Sequence, residues 1–134
     1  MRLTASPSRR SLLEQQREQL RRRRVSAPSL ADTCPTVEQV RIQLEFRDTP
    51  DVPPNNQAHD LFATAAAFFE FPCPYGDCDG VFSLHEAVSS LLTSGSTQSR
   101  GQVRCAGTRA GTERARCSVK AVFCITARYQ PPAN

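Results

Sequence analysis

The chain has 134 residues, of which 39% are hydrophobic and only 7% aromatic, with ten prolines, six cysteines and a net charge of +4. Such a composition allows one small folded unit of about 100 residues with a modest core, which a metal staple would reinforce. No run approaches the roughly 18 consecutive apolar residues of a membrane span, which excludes a spanning helix at the level of sequence.

Charge is unevenly placed. Residues 1–34 hold eight arginines (Arg2, Arg9, Arg10, Arg17, Arg21, Arg22, Arg23 and Arg24) against Glu14, Glu18 and Asp32, whereas residues 35–134 hold nine basic and ten acidic residues. This division predicts a basic helical tail and linker over 1–34 and a metal-stapled α+β domain over 35–134. Within the tail, residues 9–24 are strong helix formers with a thin apolar stripe of Leu12, Leu13 and Leu20. The arginines at its end complement the negative pole of the helix dipole. The Ser, Ala and Pro content of residues 25–35 predicts a linker, in which Cys34 reads as incidental. Arg21, Arg22, Arg23 and Arg24 are candidate nucleic-acid-binding residues, because each arginine that neutralises a phosphate releases counterions. RNA, DNA or a ribosome is then the expected partner, against the alternative of a solvated extension. Ser8-Arg9-Arg10-Ser11-Leu12-Leu13 has the look of a twin-arginine export signal, but the polar residues that follow lack the required apolar region. A cytoplasmic location is expected.

Farther along, Val40, Ile42, Leu44 and Phe46 alternate with Arg41, Gln43, Glu45 and Arg47, which predicts a half-buried strand over 38–47. Three prolines and two asparagines predict a loop over 48–56. The apolar segment that follows ends in a strand expected over 66–72. Ser83 and Glu86 form a capping-box pattern, and Leu84, Ala87, Val88 and Leu91 recur at helical spacing, predicting a helix over 83–93 with one apolar face. Two more strands are expected over 101–106 and 115–129. The fold class is therefore α+β, a small antiparallel sheet of about four strands covered by one helix.

Cys73, Cys78, Cys105 and Cys117 form two pairs, one in Cys73-Pro74-Tyr75-Gly76-Asp77-Cys78 and one flanking an eleven-residue loop. Four thiolates suit a closed tetrahedral zinc site. Iron can occupy the same ligand set, and three disulfides or free thiols are the other readings. Cys124 falls on the strand face opposite Cys117, Val119, Ala121, Phe123, Ile125 and Ala127, roughly 23 Å from Cys117 along a regular strand, so it is not expected to be a ligand. Pro74 and Gly76 are expected to supply the turn that aims backbone donors at the sulfurs.

A cysteine knuckle, a following helix and a later cysteine hairpin resemble zinc-ribbon and treble-clef domains over roughly residues 68–129. The resemblance departs from them in the four-residue spacing of the first pair and the long insertion between Cys105 and Cys117. It implies a structural metal and a binding role, and names no partner.

A zinc ion with four thiolates carries a formal charge of −2. Arg104, Arg109, Arg114 and Arg116 are placed to offset it; their contact with phosphates is the sharper alternative. Catalysis finds little support. The spacing is not C-x-x-C, four thiolates leave no open metal position, and His59 and His85 stand apart from any triad. His85, in the first turn of the expected helix, reads as a surface residue. The sequence thus predicts a non-enzymatic zinc-binding protein associated with nucleic acid or the ribosome, with no small-molecule substrate; a protein–protein adaptor using the sheet face or tail helix is the alternative.

Overall fold

Period-two alternation builds the centre of the molecule. In the computed structural model, which describes residues 9–109 and 116–131, strand β1 (Val37–Arg47) pairs antiparallel with strand β6 (Lys120–Tyr129). Their cross-strand partners Ile42 and Ile125, and Leu44 and Phe123, all point into the core. Strand β2 (Asn55–Phe62) adds to the free side of β1 and strand β5 (Gln98–Arg104) to the free side of β6, giving the sheet order β2-β1-β6-β5. One face is buried under the rest of the chain. The other, with Gln43, Arg47, Gln102 and Arg104 exposed, faces solvent, the pattern of a one-sided antiparallel sheet.

β2 corrects the sequence reading, which ended a loop at residue 56 and then ran an unassigned apolar segment. Its residues show no apolar alternation, because an edge strand is held by backbone pairing and its side chains stay largely exposed or half-buried. Asp60 on β2 receives hydrogen bonds from Gln39 and Arg41 of β1.

The strand expected over 66–72 is also smaller and elsewhere. Only β3 (Glu70–Pro72) is extended, and it pairs with β4 (Val81–Ser83) in a separate two-stranded ribbon rather than in the sheet. The residues before it are engaged differently. Leu30 and Ala31 donate backbone hydrogen bonds to the carbonyls of Ala65 and Ala63, and Ala67 donates to Pro28. Leu30 and Ala31 open α2 (Leu30–Thr33), a short helix inside the stretch read as a linker. The capping box is here too. Ser29 Oγ accepts from the Asp32 N–H, and the Asp32 carboxylate accepts from the Ser29 N–H. Ser83, expected to cap the longer helix, instead lies in β4 opposite Glu70.

That longer helix, α3 (His85–Ser94), starts from Leu84 without a side-chain cap and ends at Gly95, whose φ of +70° is the left-handed conformation that favours glycine. Leu84, Val88 and Leu91 are buried as their spacing predicts, and the helix lies against β5 and β6. Phe82 on β4 and Phe46 on β1 meet with ring centroids 5.3 Å apart, joining the ribbon to the sheet. Helix α1 (Arg9–Ser26) confirms the basic N-terminal helix and packs through Leu13, which is buried.

Leu30 has no exposed surface, so Leu30→Ala should lower the unfolding free energy by about 2–5 kcal/mol in chemical denaturation. Val25→Ser, at a residue 86% exposed, should stay within about 0.5 kcal/mol of the parent.

Candidate metal centre

Two hairpins bring the cysteines together. Cys73 follows β3 and Cys78 lies in the loop leading to β4, while Cys105 follows β5 directly and Cys117 lies just before β6. The backbone ladder continues past the strand ends, with Cys105 donating to Val119 and Cys117 to Gly107. All four side chains are buried, their thiols are free, and their Sγ atoms lie within 4.8 Å of one another. The contacts run between hairpins: Cys73 Sγ is 3.8 Å from Cys117 Sγ, and Cys78 Sγ is 3.6 Å from Cys105 Sγ. These separations are far longer than the roughly 2.05 Å of a disulfide. The group can hold a metal ion.

The backbone is shaped to the sulfurs. Gly80 N–H points at Cys78 Sγ at 3.3 Å and Gly107 N–H at Cys105 Sγ at 3.4 Å, each from two residues beyond its cysteine. The backbone of Tyr75 serves Cys73 in the same way. Such bonds stabilise sulfur in its charged form, opposing the burial that pushes the Cys73 thiol up and the Cys105 thiol up to about 12. A side chain at Gly80 would place its Cβ 2.2 Å from Cys105 Sγ, and one at Gly107 would come within 2.3 Å of the Gly80 nitrogen. The two hairpins therefore touch backbone to backbone. Gly76, expected to be the necessary turn glycine, has nothing within 4 Å of its Cβ direction and keeps no positive φ. The C-x-G spacing shared by Cys78-Asp79-Gly80 and Cys105-Ala106-Gly107 is the sequence signal that points to the glycines the site needs.

Polar residues repeat the link outside the sulfurs. Asp79 accepts from the Thr108 N–H at 2.7 Å and from its hydroxyl at 3.3 Å. Arg109 donates to Asp77 at 3.2 Å and lies over the Tyr75 ring, 3.8 Å from its centroid. Asp48, just past β1, accepts from the Ser118 and Tyr75 hydroxyls, which hold its carboxyl below the usual range. Tyr75 is raised by the same bond.

Helix α1 lies over this region. Gln16 donates to the Asp79 carbonyl at 2.7 Å and Arg17 to the Gly76 carbonyl at 3.2 Å. The four candidate nucleic-acid-binding arginines divide into two kinds. Arg23 grips Glu70 with hydrogen bonds of 2.6 and 3.3 Å, Arg24 donates to the Glu70 carbonyl, and both guanidinium groups sit over the Phe68 ring. Among the described residues Arg21 and Arg22 form ion pairs only with Glu18, one turn away, and their side chains remain 68% and 78% exposed.

The other singled-out residues stand apart from the sulfur cluster. His85 Nε2 accepts from the Phe69 N–H and lies 3.5 Å from Glu70, and His59 stacks on Phe71. Cys34 contacts Thr36, and Cys124 accepts from Gln98 on β5. Arg104 and Arg116 are exposed while the adjoining cysteines are buried; Arg114 lies outside the described residues. Comparison with protein-family models, curated proteins and solved structures returned no match.

Gly80→Ala or Gly107→Ala should force the hairpins apart and weaken metal binding about 10–100-fold, the range typical of changes around a ligand shell. Gly76→Ala should leave it unchanged. Competition against a chromogenic chelator checks all three.

Proposed function

We propose that this protein is a non-enzymatic, zinc-stapled binding protein acting on a nucleic acid. The convergence of four buried sulfurs from two hairpins carries the zinc part. A tetrahedron with zinc–sulfur bonds of about 2.3 Å has sulfur–sulfur edges of about 3.8 Å; the two contacts between hairpins stand at 3.6 and 3.8 Å, and all four sulfurs lie within 4.8 Å of one another. Cys73, Cys78, Cys105 and Cys117 would complete the coordination and leave no position for substrate, so the ion's contribution would be structural. Iron fits the same four sulfurs, and elemental analysis separates the two metals. Free thiols accord with a reducing, cytoplasmic setting, and no described helix is long and apolar enough to cross a membrane.

Exposed Arg21 and Arg22 support a polyanionic partner, RNA, DNA or a ribosome. The open face of the sheet is the observation behind an adaptor role, in which it would receive a protein subunit.

The purified chain should carry one zinc. Replacing any of Cys73, Cys78, Cys105 or Cys117 by serine should abolish stoichiometric metal, whereas Cys34→Ser and Cys124→Ser should keep it; a metal-free yet fully folded parent would refute the reading. Binding must expel the protons that burial keeps on the thiols. Affinity should therefore rise with pH, by up to about one log unit per pH unit for each displaced proton, and zinc should be released on acidification. Salt-sensitive retention on nucleic acid, weakened in Arg21→Ser/Arg22→Ser, checks the partner; retention of a protein partner indifferent to salt would favour the adaptor.

A further inference from the structure

The open face of the sheet carries a second basic feature, separate from helix α1. Arg47 on β1, Lys120 on β6 and Arg104 on β5 are direct cross-strand partners in one row. Residues directly opposite share a face, and neighbouring strands lie about 4.8 Å apart, so the backbones that carry these three cations span about 10 Å. Like charges placed opposite one another are unfavourable to a sheet. Only Arg47 has a carboxylate partner, Glu45 at 2.6 Å; Arg104 and Lys120 have no ion pair among the described residues.

The row borders a cleft of about 520 Å³ whose wall also includes Arg116, Asp48 and Ser118 and, at its floor, the buried Cys105 and Cys117 of the sulfur cluster. Arg116 likewise has no ion pair among the described residues. Asp48, the acid in the wall, already accepts from Ser118 and Tyr75. Strand alternation sends Arg104 to the face opposite buried Cys105, and Lys120 and Arg47 to that same open face. The volume is that of a small-ligand site and too small to enclose a duplex.

From this arrangement we infer that the cleft is a phosphate-binding site for consecutive backbone phosphates of a single-stranded nucleic acid. The choice of ligand rests on the polyanion reading above; the location does not. The open face of the sheet's central strands presents Arg41, Gln43, Glu45, Val122, Cys124 and Thr126. The exposed aromatic of this face, Phe62 on β2, lies opposite Gln39, roughly 26 Å along β1 from Arg47, so recognition at the row itself is of backbone charge and is indifferent to base identity.

Fluorescence anisotropy of labelled single strands of about ten nucleotides, RNA and DNA in parallel arms, tests the site on the full, zinc-loaded chain. Arg104→Ser/Lys120→Ser should weaken binding of both and reduce the slope of log affinity against log salt by about 1.4, at about 0.7 per lost phosphate contact. The charge-keeping Arg104→Lys/Lys120→Arg should retain binding, and zinc content should be unchanged in both variants. Unaltered affinity and slope in the serine variant, with binding lost instead in Arg21→Ser/Arg22→Ser, would overturn the cleft and leave the polyanion reading standing. Absence of any binding by the parent would remove both. Inorganic pyrophosphate is the competitor arm: binding of pyrophosphate that is lost in the serine variant, while oligonucleotide binding is not, would make the cleft a small-anion site and overturn the nucleic-acid assignment.

Discussion

The contact between the two cysteine-bearing hairpins is the junction on which the rest of the architecture depends. One hairpin is the ribbon of β3 and β4, only three residues per strand; the other is the end of the central sheet. A ribbon so short is not stable alone. It is held by Phe71 and Phe82 in the core and by sulfur pairs that cross from one hairpin to the other. Because the sulfur contacts of 3.6 and 3.8 Å join different hairpins, a metal at their centre would link segments far apart in sequence. Its binding free energy would then act directly on folding.

Around that junction the protein uses ordinary hydrogen-bond chemistry to repeat the connection. Asp79 with Thr108, Asp77 with Arg109, and Asp48 with Tyr75 and Ser118 each tie elements that the cysteines also tie. Carboxylate acceptors strengthen these bonds. All four cysteines lie on loops, and α3 supplies none, so the helix serves the core while the two hairpin ends define the cluster.

Basic charge is divided along similar lines. Arg23 and Arg24 hold α1 to Glu70 and Phe68, using charge and ring contact for packing. Arg21 and Arg22 remain outward. A separate set, Arg47, Arg104 and Lys120, is gathered only when three strands pair. A count of arginines along the chain draws attention to the helix and passes over the sheet, where strand pairing gathers three cations onto one face.

What the linear chain determined by itself were the features with a local period or a local chemical type. Val40 to Phe46 and Ala121 to Ala127 alternate, so their buried face and the exclusion of Cys124 from it were legible, as were the apolar face of α3, the basic helix and the four cysteines as a set. Tertiary structure decided the rest. Edge strand β2 has no alternating signal, since backbone pairing holds it; the Ser83 pattern was overridden because strand pairing with Glu70 claimed that residue. Gly80 and Gly107 matter only because two distant backbones meet there, and Arg47, Lys120 and Arg104 form a row only through register. Local patterns report which way a side chain must face. Which segments then meet depends on pairing between residues many positions apart, and no short-range period encodes that.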